Sequence, residues 1–389
     1  MTAALFWLFA LLFGYVYAGY PLLLWLATLA RMPRAGTPGY QPRVSILIAA
    51  HNEQAWIHAK IRNALEVDYP ADRLQVIVAS DGSSDDTLAL AQSVQDQRLI
   101  VLDIRERGGK ANALNQALAH ADGDIVVFTD ANVFFQPQAV ARLAAHFADP
   151  ACGCVSGRVD LQPMDDDDTG EPLGEGFYMR LERFLQARES RLDTLVGTDG
   201  ALFAARRELV EPLPAGLILD DFLIATRIAA AGHAVRYEAA ARAMERVPAS
   251  VAQEFRRKVR IAAGCFQVLP QLGFLRRPWQ RPRLWTLFVS HKLLRWLSPW
   301  LLAGLLVTSA LLAGQALYAA ALGLQLALYA LAVIGWWCPG CRHWLPVYVP
   351  YYFAAVNLAF ALGLWRQLTV GQPVTWERVD RDARSGTGT

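Results

Sequence analysis

Charged residues are absent from positions 2–30, return through a long middle stretch, and disappear again over 297–337 and 344–365. A bilayer core takes about 20 apolar helical residues, so each uncharged stretch is long enough to span one. The second stretch breaks near Gly314 and Gln315, which predicts two helices joined by a tight turn. The pattern predicts an N-terminal anchor over 1–35, interfacial helices over 266–296, about three spans over 297–366 and a tail over 367–389. The first stretch has no basic start, short apolar run or small-residue cleavage site, so it reads as an anchor and not a removed leader. Arg31 and Arg34 after it place its end on the cytoplasmic side. Trp285, Trp296, Trp300, Trp336, Trp337, Trp344 and Trp365 fall near the predicted ends, as interfacial aromatics do.

Between the flanks the period changes. VSILIAA (44–50), LQVIVAS (74–80), LIVLDI (99–104) and DIVVFTD (124–130) read as buried strands. They alternate with helical stretches at 53–65, 85–94 and 110–121. Strand–helix alternation at this spacing predicts an α/β domain with a mostly parallel sheet and right-handed crossovers. Ligands of such sheets bind beyond the carboxyl ends of the strands. Those ends carry His51-Asn52-Glu53, Asp81-Gly82-Ser83-Ser84-Asp85, Arg107-Gly108-Gly109-Lys110 and Asp130-Ala131-Asn132. Each has a plain alternative as a turn or a helix cap; four on one rim point to a ligand.

Composition changes the picture little. Hydrophobic residues make up 54% of the 389, and the formal charge is +2. The acidic middle excludes a nucleic-acid binder, which needs a basic folded surface. Arg256, Arg257, Lys258, Arg260, Arg276, Arg277, Arg281 and Arg283 form a basic approach to the second apolar block, suited to anionic headgroups. His291, Lys292 and Arg295 read as further headgroup anchors, or as a polar lining where an acceptor enters the membrane. Five cysteines are too few for a disulfide framework. Cys338-Pro-Gly-Cys341 has redox spacing but no second pair. Asp165 to Asp168 read as a solvated loop.

The series VSILIAAHNE, VIVASDGSSDDT, RGGKANALNQAL, GDIVVFTDAN, GTDGALFAARRELV, LDDFLIATRIAAAGHAVRYE and RRKVRIAAG resembles membrane-bound family-2 glycosyltransferases with a GT-A catalytic domain. The resemblance covers residues 40–265 and, with the flanking spans, points to the polysaccharide-synthase type. It implies an inverting transfer from a nucleotide-diphosphate sugar, in the first instance a UDP-sugar. Asp81 then matches the carboxylate that bonds the base and Glu53 the acid near it, while His51 departs from the aromatic that many relatives pack on the base, though it can still stack. Lys110 and Arg260 match donor-phosphate contacts, and Arg257, on the same nucleotide-sugar side, stands where the family carries Gln. Asp130 matches the first Asp of the family's Asp-x-Asp, with Asn132 in place of the second; together they imply a Mg²⁺ or Mn²⁺ site. Asp220 and Asp221 match the family's acidic pair, Asp221 as general base. Gly197 and Asp199 lie in the segment under the acceptor. Ile261 stands where processive relatives carry a Trp, which opens the alternative of a single transfer to a lipid acceptor. The resemblance further implies an inner-membrane location with a cytoplasmic domain, a glycan or lipid acceptor, contact with membrane lipids and an accessory synthase subunit. A catalytically idle scaffold is the reading from another class.

Overall fold

The computed structural model describes residues 1–163, 173–247 and 251–369; the run 165–168 and nearly all of the tail lie outside them. Eight strands form one sheet: β1 (Val44–Ala50), β2 (Leu74–Asp81), β3 (Leu99–Ile104), β4 (Ile125–Asp130), β5 (Val133–Phe135), β6 (Cys152–Pro163), β7 (Leu202–Arg206) and β8 (Ala234–Val247). Their order is β3-β2-β1-β4-β7-β6-β8-β5. β3, β2, β1 and β4 run parallel. β7 reverses the direction against both β4 and β6, and β5 lies antiparallel to β8. The four predicted strands are therefore the all-parallel half; in the other, mixed half β6 and β8 run parallel to each other. The other half was illegible as strands because its pairings join residues up to about a hundred positions apart.

The helices are α1 (Thr2–Gly14), α2 (Tyr20–Ala27), α3 (Ile57–Leu65), α4 (Thr87–Gln92), α5 (Lys110–Ala119), α6 (Ala139–Ala145), α7 (Leu173–Ser190), α8 (Asp220–Ala231), α9 (Val251–Val268), α10 (Pro282–Phe288), α11 (Leu294–Trp296), α12 (Ser298–Leu311), α13 (Ala316–Trp337) and α14 (Leu345–Thr369). The period of two along the strands splits the core into two layers. Leu47, Ala49, Ile77, Ala79, Val126 and Phe128 face α5, α8 and the membrane-side helices. Ile46, Ile48, Val76, Val78 and Val127 face α3 and α6. Each large aliphatic side chain buried this way contributes about 1.5–3 kcal/mol, and β1 is buried at every position.

Three apolar stretches are long enough to cross a membrane: Thr2–Ala27, Ala316–Trp337 and Leu345–Thr369. The fourth predicted segment is a broken pair, Pro282–Trp296 and Ser298–Leu311, bent by 61°. Two one-turn π-helices, Tyr15–Gly19 and Val289–Leu293, interrupt the first stretch and the broken pair. They meet: Tyr15 Oη lies 2.8 Å from Ser290 Oγ, and Tyr17 donates to Ser298 Oγ at 3.1 Å. Trp336, Trp337, Trp344 and Trp365 are exposed as belt residues should be. Trp296 is not: it is buried against Phe222, Phe266 and Phe288, because the bend turns it into the domain core.

Two further expectations change here. His291 and Arg295 are buried and Lys292 largely so, and all three pair with glutamates of α7, so none anchors a headgroup. Arg281 and Arg283 donate to the carbonyls of Ala230 and Leu192 and so clasp the domain to the apolar block. Cys338 and Cys341 face one another at 2.7 Å in the α13–α14 turn as free thiols, and Cys152, Cys154 and Cys265 are buried.

Candidate active site

The rim begins at β2. Asp81 is fully buried, and its two carboxylate oxygens accept the backbone N–H groups of Gly108 and Gly109, each at 2.8 Å. His51, buried at the end of β1, sets Nδ1 2.7 Å from the Asp81 carbonyl oxygen. The Glu53 N–H donates to Thr87 Oγ1 at 2.7 Å. In this conformation Asp81 thus holds the turn 107–110, where the resemblance has it bonding a base. The turn in turn fixes where α5 begins, and with it Lys110.

Lys110 Nζ lies 2.9 Å from Asp130 Oδ1 at the end of β4 and 3.5 Å from Asp220 Oδ2 at the start of α8. A cation at a helix N-terminus is opposed by the helix dipole. The reason for its presence is in the chain itself: two carboxylates compensate it. Burial alone would push the ammonium down, but Asp130 and Asp220 hold it above the ordinary lysine range. Burial also raises Asp220, against the pull of Lys110. Asp221 is pushed up to about 7 by burial and then by the Asp220 charge beside it. Arg260, exposed on α9, is within electrostatic reach of Asp130 and Asp220. Arg257 is held instead by Glu254, one turn back, at 2.7 and 3.0 Å.

The loop before β7 closes the site from below. Gly197 has φ +89°, and a Cβ there would meet the Phe222 ring at 2.8 Å. At Gly200 a Cβ would lie 3.0 Å from the Asp221 carboxylate. The two glycines therefore let the loop run directly against the acidic pair. Asp199 turns away from the opening: its N–H donates to Ser156 Oγ at 2.8 Å and its Oδ2 accepts the Val159 N–H at 3.2 Å. Burial, with the Glu245 charge second, lifts it to about 7.

Two residues of this region escaped the sequence reading. Glu245 on β8 is opposite Val133 on β5, and its Oε1 lies 3.4 Å from the amide nitrogen of buried Asn132. Lys60 is fully buried under the Asp130–Asn132 turn, donating to Thr129 Oγ1 at 3.1 Å and to the Val133 carbonyl, with Nζ 3.5 Å from the centre of the Phe135 ring. Burial pushes it well below the lysine range, opposed by Asp130. A lysine in an amphipathic helix ordinarily reads as solvent-facing, so nothing in the sequence marked it.

Asp130 and Asn132 fit a divalent ion only in part. Hard cations take oxygen ligands and accept one or two carboxylates completed by phosphate oxygens and water. Among the described residues no three His, Cys, Asp or Glu side chains are grouped to hold an ion by themselves. The partly exposed Asp130 carboxylate suits an ion that arrives with a diphosphate, and Asn132 adds at most its carbonyl oxygen.

A parallel half-sheet with a charged rim, joined through a mixed half to an acidic pair at a helix start, defines a nucleotide-sugar transferase domain of the GT-A type. Residues 45–213 match the sequence profile of Glycosyl transferase family 2, and this part of the chain is a family-2 glycosyltransferase domain. The chain is 26% identical over 234 residues to a poly-β-1,6-N-acetyl-D-glucosamine synthase of Staphylococcus aureus, a match covering 58% of this chain and 55% of that protein. It is 34% identical over 149 residues to a β-monoglucosyldiacylglycerol synthase of Synechocystis, covering 37% and 31% respectively. The match thus spans about half the length of the first of these relatives and less of the second. A mannosyltransferase from Pyrobaculum calidifontis, solved with GDP-mannose and Mn²⁺, superposes with a TM-score of 0.71 at 26% identity, covering 95% of this chain and all of that one. That likeness extends through the flanking apolar helices.

Two outcomes follow from the site. Asp221 can accept a proton only when ionised, so the rate of transfer should climb as pH rises through about 7 and level off above it; a rate flat from pH 5 to 9 contradicts this. Asp81→Asn sets an amide NH₂ against one of the two backbone N–H groups. It should cost about 1–3 kcal/mol of stability and weaken nucleotide binding, read by thermal unfolding and by titration with UDP and GDP.

Proposed function

We propose that the chain is a membrane-bound, inverting glycosyltransferase that moves a sugar from a nucleotide-diphosphate donor onto a growing exopolysaccharide or cell-surface glycan. The observation that carries this reading is the Lys110 bridge, which brings the rim carboxylate Asp130 to the acidic pair Asp220-Asp221. Donor diphosphate and acceptor hydroxyl would then meet on either side of one cluster. The base of the donor lies at His51 and Asp81, the turn 107–110 opening to admit it. Lys110 and Arg260 face the diphosphate; as it binds, Lys110 exchanges part of its contact with Asp130 for phosphate oxygens. Asp130, with the Asn132 carbonyl oxygen, would hold a divalent ion, which when bound would supply charge neutralisation for the leaving group. Asp221 takes the proton of the acceptor hydroxyl, whose oxygen attacks the anomeric carbon opposite the leaving nucleotide and inverts it. Asp220, buried against Lys110, holds the start of α8 in place.

The donor in this reading is a UDP-sugar, given the similarity to a polysaccharide synthase; the mannosyltransferase that matches along the whole chain favours GDP-mannose as the second reading. The similarity to a glycolipid synthase supports the single-transfer alternative, as does Ile261. In this reading the protein lies in the inner membrane with its domain cytoplasmic, where nucleotide sugars are made, and the three helices long and apolar enough to cross a bilayer support the membrane part of it; a lipid or glycan acceptor would reach it from the bilayer, with or without an accessory subunit.

Turnover of UDP-Glc, UDP-GlcNAc, UDP-Gal and GDP-Man by purified full-length protein tests the class, and product length separates a polymer from a single addition. Asp221→Asn should lower transfer by about 10²–10⁴-fold; undiminished transfer by that variant would remove the assigned base. Asp130→Ala should abolish metal-dependent transfer, whereas Asn132→Asp should preserve it and tighten Mn²⁺ binding, measured by electron paramagnetic resonance. Equal damage from Asn132→Ala and Asp130→Ala would contradict this division of roles.

A further inference from the structure

Away from the chemistry, one fully buried carboxylate joins three parts of the molecule. Glu189, in the last turn of α7, has no exposed surface. Its Oε1 accepts the Tyr20 hydroxyl of the N-terminal apolar helix at 2.6 Å and lies 2.7 Å from Nδ1 of His291 in the second π-helix. Its Oε2 accepts the backbone N–H of Val196 at 3.1 Å. Val196 immediately precedes Gly197, in the loop on which Asp221 rests. Two turns earlier in α7, Glu182 reinforces the junction by pairing with Lys292 at 2.5 Å, Arg295 at 2.7 Å and His291 Nε2 at 3.2 Å. Lys292 Cε is 3.8 Å from where a Gly197 Cβ would stand.

Two features distinguish this from a generic buried ion cluster. The second π-helix reaches it through His291, and the first, which meets the second at the Tyr15–Ser290 bond, is followed at once by Tyr20; such insertions in apolar helices re-aim side chains. The loop it grips makes its contact with α8 through glycines, so a displacement at Val196 passes to Gly200 and the Asp221 carboxylate 3.0 Å from its Cβ position. Among the described residues the Glu189 carboxylate bonds Tyr20, His291 and Val196, none of them on the donor-rim elements β1, β2, β4 and α5.

We propose that Glu189, with Tyr20 and His291, is a positioning group for the acceptor side of the site: it registers the loop 195–200 against the membrane helices, so that the floor under Asp221 keeps a fixed height relative to the bilayer from which the acceptor comes. The inference rests on the glycosyltransfer reading for the word acceptor, and on geometry alone for the junction. Misplacing a reacting group by about 1 Å costs up to about 10²-fold in rate, whereas donor binding is untouched.

The test uses full-length protein in lipid nanodiscs, with Glu189→Gln removing the charge and Tyr20→Phe removing one bond while keeping every charge. Acceptor KM, donor KM and hydrogen exchange of the Val196 amide are measured for each. Glu189→Gln should raise acceptor KM by about tenfold or more with donor KM within about twofold, and speed exchange at Val196 by about tenfold or more; Tyr20→Phe should fall between it and wild type. Unchanged exchange and unchanged acceptor KM overturn the proposal. So does an equal rise in both KM values with lowered thermal stability, which marks a merely structural role. Wild-type protein that turns over no nucleotide sugar would sink the glycosyltransfer reading and the acceptor role with it, while Val196 exchange still decides whether the junction exists.

Discussion

Asp130 comes from the end of β4 and Asp220 from the start of α8, and the Lys110 ammonium lies against both. Like charges a few ångström apart repel by about 4 kcal/mol at an effective dielectric of 20, and burial makes water a poor substitute for a counter-ion. With Lys110 between them the two carboxylates share one cation, and Asp221 is left as the acid that burial and its neighbour lift into the neutral range. The placement of Lys110 depends on α5 starting where it does, which depends on Asp81 holding Gly108 and Gly109. Two strand ends and two helix starts are thereby fixed to one another by a handful of charge-assisted bonds.

Buried ion pairs seldom add much net stability, because desolvation offsets their attraction, yet removing one partner is costly. That asymmetry suits both charged clusters of this protein. The rim cluster specifies where donor groups meet acid groups, and the α7 cluster ties the loop beneath Asp221 to the apolar helices. In the first, Lys110 lies between carboxylates from separate segments; in the second, Glu182 of α7 lies among Lys292, Arg295 and His291 of the membrane helices, so neither junction can slide without stranding a charge. Lys60 acts in the same sense behind the rim, bridging Thr129 and the Val133 carbonyl across the Asp130–Asn132 turn.

The sequence alone determined what has a short period. Short β-rich apolar runs alternating with helical stretches made β1 to β4 legible to within a residue or so, uncharged runs marked the apolar helices, and strand ends named the rim residues, since all of these are local consequences of backbone geometry. Tertiary structure decided what depends on distant pairing: the mixed half of the sheet, Glu245 brought to Asn132 across 113 positions, Lys60 turned inward, and Trp296 turned from a belt position into the core. It also decided the partners of charges that the sequence assigned to water or lipid. His291, Lys292 and Arg295 precede an apolar run and looked like headgroup anchors, but a buried cation needs a carboxylate within reach, and which carboxylate that is depends on how α7 lies against the membrane helices.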